Sequence, residues 1–113
     1  PHSQEEKSKG LSGSVNGIVG LETAFAVLYT CLVRTNIISL QKLVELMSIN
    51  PRERFNFKEV NGYCVWDLNA CYEIDSSKFL SKGKSTPFDK KLVYGKLLKT
   101  VVGDKVVYEK ENR

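Results

Sequence analysis

Histidine, methionine and tryptophan each occur once in this 113-residue sequence, and cysteine occurs three times. His2 is the only imidazole and lies far from Cys64 and Cys71, so no spacing typical of a zinc site is present. An odd number of cysteines without a C-x-x-C pair favours reduced thiols in a cytosol over a disulfide framework. The sequence therefore predicts a cytoplasmic protein whose own residues bind no metal.

Long hydrophobic runs are missing too. The most apolar stretch, residues 21–33, is interrupted by Glu22 and Thr23 and falls short of the roughly 18 apolar residues that span a bilayer. The opening residues, PHSQEEKSKG, hold no apolar run of the kind that a signal peptide needs. We expect neither a membrane span nor a leader in this sequence.

Neither positive nor negative charge is concentrated in one part of the sequence. The 17 Lys and Arg against 13 Asp and Glu give a net charge of +4, and the lysines are scattered among serines, threonines and apolar residues. This pattern favours a solvated surface over nucleic-acid binding. Arg34, Arg52 and Arg54 are expected at helix ends and on the surface. The segment SKGKST lacks the spacing of a phosphate-binding loop.

The chain opens with a predicted loop and a predicted helix. Residues 1–20 contain several glycines and serines and show no apolar period, which indicates an extended loop. From Leu21 onward apolar residues recur at helical spacing, which predicts a helix with one apolar face. Glu22 would lie in the first turn of that helix, where the helix dipole favours a carboxylate.

A second helix is predicted to begin at the N-cap Ser39, with apolar residues at helical spacing as far as Met47. The dipeptide Asn50-Pro51 is predicted to end it, because the residue before a proline avoids the α region. Asn50 would then cap a third, short helix through Phe55, with Pro51 at its first position.

The second half of the chain changes to strand-forming residues. The sequence YCVWDL at residues 63–68 predicts a strand, which residues 72–74 would extend or pair with. Tyr63 and Trp66 are interpreted as core residues of that strand rather than as a stacking platform.

The end of the chain carries the clearest strand pattern. Residues 92–102 and 105–108 flank Gly103-Asp104, a dipeptide suited to a two-residue hairpin turn. The predicted order of elements places helices before strands, with no strand before the first helix. This order is unusual for a free-standing domain and indicates part of a larger fold.

Five segments of the chain resemble the last third of class I dihydroorotases, of the amidohydrolase superfamily, in order and approximate spacing. The segments are PHSQEEKSKG, GIVGLETAFAVLYT, ISLQKLVELMSINPRERF, KFLSKGKSTPF and LVYGKLLKTVVGDKVVYE. Three short patterns lie within them: G-x-x-G-x-E-T-A at residues 17–24, S-x-N-P at residues 48–51 and S-K-x-x-x-T-P-F at residues 81–88. Their collinearity carries the match, which covers nearly the whole chain.

The resemblance implies the α/β fold class. The chain would form the C-terminal portion of an amidohydrolase (β/α)8 barrel, as a loop plus helices, followed by β-strands of a small composite β-sandwich domain. Residues 1–57 would be the last barrel loop and the C-terminal helices, and residues 58–113 the β-rich part of the companion domain. Active sites of such barrels lie in the loops that follow the strands, which would include PHSQEEK.

The resemblance also implies a site. The family's loop opens with D-H-A-P-H, of which Pro1 and His2 are present, so the acid/base aspartate is expected just upstream of Pro1 and no catalytic residue is expected in this chain. His2 matches the histidine that contacts the carboxylate of the substrate. Gly17 belongs to the segment whose backbone approaches the substrate ring, where a glycine permits close approach.

The implied reaction is the reversible cyclisation of N-carbamoyl-L-aspartate to L-dihydroorotate in pyrimidine biosynthesis, with zinc as cofactor of the intact enzyme. The chain alone, which lacks the metal ligands, is expected to be inactive. Its implied partners are the small-molecule substrate and the remainder of the barrel, with a homo-oligomer or aspartate transcarbamoylase as further candidates. Neither nucleic acid nor a membrane is expected as a partner.

The β-rich half departs from the family pattern. Class I members usually have G-x-x-A-D-L where Gly62-Tyr63 runs straight into Cys64 here, and the linker before Gly62 is short. An alternative hypothesis follows, in which the chain is a non-catalytic dihydroorotase-like remnant that acts as an interaction or scaffold module. A small basic nucleic-acid binder is a third hypothesis.

Overall fold

The computed structural model describes Ser3, residues 17–57 and residues 61–111. Its first half is helical. The first helical run consists of α1 (Ala24–Leu28) and a π-helical turn (Tyr29–Val33). The second run consists of α2 (Leu40–Val44), a π-helical turn (Glu45–Ile49) and α3 (Asn50–Arg54). Both runs were predicted from apolar spacing, although the first begins at Ala24 rather than at Leu21.

Ser39 caps α2 as predicted, because its Oγ accepts a hydrogen bond from the backbone N–H of Lys42 at 3.1 Å. The predicted break at Asn50-Pro51 is wrong. Asn50 has helical dihedral angles, φ −63° and ψ −44°, and its N–H donates to the carbonyl of Glu45, five residues earlier. In a regular α-helix a proline ring collides with the carbonyl four residues before it. The wider π turn just before Pro51 gives the ring room, so the chain continues helically.

The second half forms a three-stranded antiparallel sheet in the order β1-β2-β3. Its strands are β1 (Gly62–Glu73), β2 (Leu92–Val102) and β3 (Lys105–Glu109). The pairing of β1 with β2 shifts register after Val65 and again after Asp67. The two strand segments predicted at residues 63–68 and 72–74 are therefore parts of one bulged strand.

The predicted hairpin between β2 and β3 is confirmed. Val102 pairs with Lys105, which leaves Gly103 and Asp104 as a two-residue turn. Gly103 has a φ of 61°. A glycine with positive φ at the first turn position matches the right-handed twist of the flanking strands.

The core lies where α1 packs against β2. Ala26 and Val27 of α1 cluster with Val93 of β2 and with Ile74, which follows β1, and each of the four is at most 8% exposed. A polar contact adds to this packing, because the Oγ1 of Thr30 accepts from the backbone N–H of Tyr94 at 2.8 Å. The helical half is thus fixed on the sheet by both apolar and polar contacts.

The architecture agrees with the coarse prediction of a mixed helical and β fold, with a three-stranded antiparallel sheet in its second half. The assignment of residues 1–57 to a barrel and of residues 58–113 to a companion domain stays a prediction. Among the described residues, no helix has the length and apolar character needed to cross a membrane.

Candidate functional site

Two of the sequence patterns meet in space, although they lie far apart in the chain. Residues 17–23 run beside the β1–β2 loop, residues 74–91. The backbone N–H of Val19 donates to the carbonyl of Ser85 at 2.9 Å, and Val19 is buried there. The G-x-x-G-x-E-T-A and S-K-x-x-x-T-P-F patterns therefore form one junction.

The carboxylate of Glu22 makes a second connection across this junction. Its Oε1 accepts from the backbone N–H of Leu80 and its Oε2 from that of Ser81, each at 3.0 Å. Hydrogen bonds to an ionised acceptor are roughly twice as strong as neutral ones. We call this pair of bonds the Glu22 clamp.

The predicted role of Glu22 as a partner of the helix dipole is wrong. Thr23 is the N-cap of α1, and the first turn of α1 contains no acidic residue. Glu22 thus precedes the helix, and its carboxylate is occupied by two backbone N–H groups of the β1–β2 loop. Sequence reasoning missed this function because it requires partners 58 and 59 residues away. The sequence feature that could have indicated this contact is the presence of both the G-x-x-G-x-E-T-A and the S-K-x-x-x-T-P-F patterns in one chain.

The β1–β2 loop is also held by hydrogen bonds of its own. Asp75 caps the 3-10 turn Ser76–Lys78, since its Oδ1 accepts from Ser77 N at 3.0 Å and from Ser77 Oγ at 2.5 Å. These bonds, the hydroxyl first, lower the pKa of the Asp75 carboxyl below its ordinary value. Asp89 Oδ1 accepts from the backbone N–H of Ser76 at 2.8 Å. The clamp therefore joins residues 17–23 to a loop that is itself ordered by hydrogen bonds.

Gly17 lies at the open end of the junction. Its φ of 108° is in the left-handed region that favours glycine, and a Cβ there would meet no atom within 4 Å. The backbone conformation, rather than crowding, accounts for a glycine at this position. Gly17 is exposed, so its main chain is accessible to a ligand. Its role in substrate binding stays a prediction, and the other predicted substrate-binding residue, His2, lies outside the described residues.

A small cavity of about 170 Å³ lies between the two joined segments. Val19 and Thr23 line it from one side, and Phe79 lines it from the other. Leu21 and Leu80 also line it, and they are 92% and 93% exposed. The junction therefore presents an apolar edge next to the clamp.

The part of the chain that the structure describes does not fit a zinc site. No group of three or more His, Cys, Asp or Glu side chains in it could hold a metal ion. The three cysteines are free and exposed; they are Cys31, Cys64 and Cys71. The Sγ of Cys64 lies 3.6 Å from the Oγ1 of Thr100, which is a hydrogen-bonding contact rather than metal ligation.

A larger, open groove of about 800 Å³ lies between the second helical run and the sheet. Trp66 lines it with its ring centroid 4.2 Å from that of Phe25, and it is half-buried at the edge of the groove rather than part of the buried core that was predicted for it. The core position predicted for Tyr63 is wrong. Tyr63 is 58% exposed, because it lines the open groove, where no described element covers it.

The three arginines are exposed near helix ends, as predicted. The guanidinium carbon of Arg34 lies 3.5 Å from the ring centroid of Tyr94, and that of Arg54 lies 5.4 Å from the ring centroid of Phe55. Both distances are typical of cation–π contacts.

The chain is similar to known dihydroorotases along its whole length. It is 40% identical to the dihydroorotase of Ligilactobacillus salivarius, over 100% of the chain. It is 43% identical to that of Bacillus pumilus and 45% identical to that of Brevibacillus brevis, in each case over 96% of the chain. The chain spans 28% of the length of the first relative and 27% of the other two. No protein-family model matches it.

The alignment with the Ligilactobacillus salivarius protein runs over 121 residues and is thus longer than the chain of 113 residues, so this chain carries gaps. The alignment covers 100% of the chain, so the similarity extends beyond the short patterns. The chain belongs to the dihydroorotase family and corresponds to a C-terminal part of those proteins.

Proposed function

We propose that the longer protein to which this chain corresponds is a dihydroorotase, which cyclises N-carbamoyl-L-aspartate reversibly to L-dihydroorotate in pyrimidine biosynthesis. The observation that carries the proposal is the identity of 40–45% along the chain to three proteins named dihydroorotase. The same identity does not favour the alternative of a non-catalytic scaffold module.

Within that enzyme, residues 1–57 would supply the last barrel loop and the final helices, and residues 58–113 would supply strands of the companion domain. His2 would donate a hydrogen bond to a carboxylate of the substrate. Gly17 would bring its main chain close to the substrate ring. The exposed, positive-φ backbone of Gly17 supports this second role.

Zinc is the cofactor that the family implies for the intact enzyme, and it would be held by residues other than those described here, which offer no group of metal ligands. We place the enzyme in the cytoplasm. Its proposed assemblies are a homo-oligomer or a complex with aspartate transcarbamoylase.

The test is to assay the longer protein, purified with its metal, in both directions of the reaction, next to the 113-residue chain alone. We expect turnover of dihydroorotate and of N-carbamoyl-L-aspartate by the longer protein and none by the chain alone. A folded, metal-loaded longer protein without turnover in either direction would falsify the proposal.

A further inference from the structure

Residues 19–22, which precede α1, are attached to the β1–β2 loop at both ends. Near one end, the N–H of Val19 donates to the carbonyl of Ser85 at 2.9 Å. Near the other end is the Glu22 clamp. The N–H of Thr23 donates to the carbonyl of Gly20 at 3.2 Å, which closes a tight turn that contains Glu22. Residues 19–23 therefore form a compact turn with a fixed orientation relative to the loop.

The clamp contributes orientation as well as attachment. One bond would let the carboxylate rotate about it, whereas two bonds to the adjacent N–H groups of Leu80 and Ser81 define a plane. Glu22 is exposed, so water competes for its oxygens, and only the paired geometry favours the protein partners. The direction in which the chain runs back from Val19 to Gly17 depends on this arrangement.

We infer that Glu22 is a positioning residue for substrate binding: its clamp holds the main chain at residues 17–19 in the orientation in which that main chain meets the substrate. The inference rests on the proposed function. Glu22 itself bonds the β1–β2 loop and takes no part in the chemistry. The loop acts as the fixed support, because Asp75 and Asp89 already order its backbone.

The variant Glu22→Gln separates the clamp from the bulk of the side chain. Glutamine has nearly the same size but only one acceptor oxygen, and its NH2 group would face a backbone N–H where Oε2 accepts now. One hydrogen bond is therefore lost, and in its place the glutamine NH2 group and the backbone N–H, both donors, face each other. Glu45→Gln is the matched control, because within the described residues the carboxylate of Glu45 forms a surface ion pair with Lys42, at 3.7 Å, and no bond to the β1–β2 loop.

The experiment uses the longer, metal-loaded protein and measures amide hydrogen exchange together with steady-state kinetics. In Glu22→Gln we expect exchange at residues 17–21 and 79–82 to accelerate by about tenfold, in line with the loss of a charge-assisted bond. The KM for dihydroorotate should rise by about tenfold, with kcat within about twofold of wild type and unchanged zinc content. Glu45→Gln should leave exchange and kinetics at their wild-type values.

The outcomes separate the inference from the proposed function. Unchanged exchange at residues 17–21 in Glu22→Gln would overturn the inference. Faster exchange with an unchanged KM would also overturn it, because the clamp would then be structural only. If the wild-type protein itself turned over no dihydroorotate, the proposed function would fail first, and the substrate role of the clamp with it.

Discussion

At the residue scale, an interaction can be predicted from sequence when both partners are close in the chain. Ser39 was predicted correctly as an N-cap because its partner, Lys42, lies three residues away. The turn glycine Gly103 was likewise predicted from its own dipeptide. Glu22 was assigned to the nearest partner, a helix dipole, whereas its actual partners lie in the β1–β2 loop. One sequence gives no means of pairing such distant residues.

Asp75 provides a prediction about pH at this scale. Bonds from Ser77 stabilise its ionised form, so the pKa in the folded state lies below the ordinary value of 3.8. A carboxyl whose folded pKa is lowered contributes stability above its unfolded pKa and loses that contribution as the pH falls through the folded value. Asp75→Asn keeps an acceptor for Ser77 but cannot ionise. We therefore expect it to show a smaller fall in Tm than wild type between about pH 5 and pH 2.

Thermal unfolding followed by circular dichroism across this pH range measures the effect. The control is Asp104→Asn, which removes a carboxylate from the exposed hairpin turn. Its fall in Tm with acid should match that of wild type. If Asp75→Asn also matched wild type, the hydrogen bonds of Ser77 would contribute nothing to acid sensitivity.

At the element scale, periodicity located the helices and strands, but irregularities within them were not predicted. The π turn before Pro51 makes room for the proline ring, and the bulges of β1 shift its register against β2. The helix continues through Pro51, because the wider π turn leaves room for the proline ring. The two predicted strand segments, residues 63–68 and 72–74, belong to one strand pairing, because both lie against the same continuous strand β2.

Gly62 tests the pairing of β1 with β2. A Cβ at this position would lie 2.6 Å from the backbone oxygen of Val101, and a backbone atom cannot swing aside as a side chain can. We expect Gly62→Ala to lower the free energy of unfolding by about 1–3 kcal/mol, the usual cost of overpacking. Gly20→Ala is the control, since a Cβ there meets no atom within 4 Å. Urea unfolding measures the free energy of unfolding of both variants. Equal values for Gly62→Ala and Gly20→Ala would contradict this account of the β1–β2 register.

At the scale of the whole molecule, the chain is less compact than a free-standing domain. Its radius of gyration is 16.0 Å, against the roughly 13 Å typical of a compact chain of this length. Large apolar side chains are exposed in both halves, for example Ile37 and Leu92, each at 66%. The unusual order of elements had predicted part of a larger fold, and the match to little more than a quarter of each relative agrees with it.

Our central proposal is that this chain helps to bind the substrate of a dihydroorotase. The most direct test compares the KM for dihydroorotate of the longer wild-type protein with that of its His2→Ala variant. Loss of a hydrogen bond to a charged group should raise the KM by about 10- to 100-fold, with the zinc content unchanged. The account predicts turnover by the wild type and this increase in the variant. Equal KM values for the two proteins would contradict it.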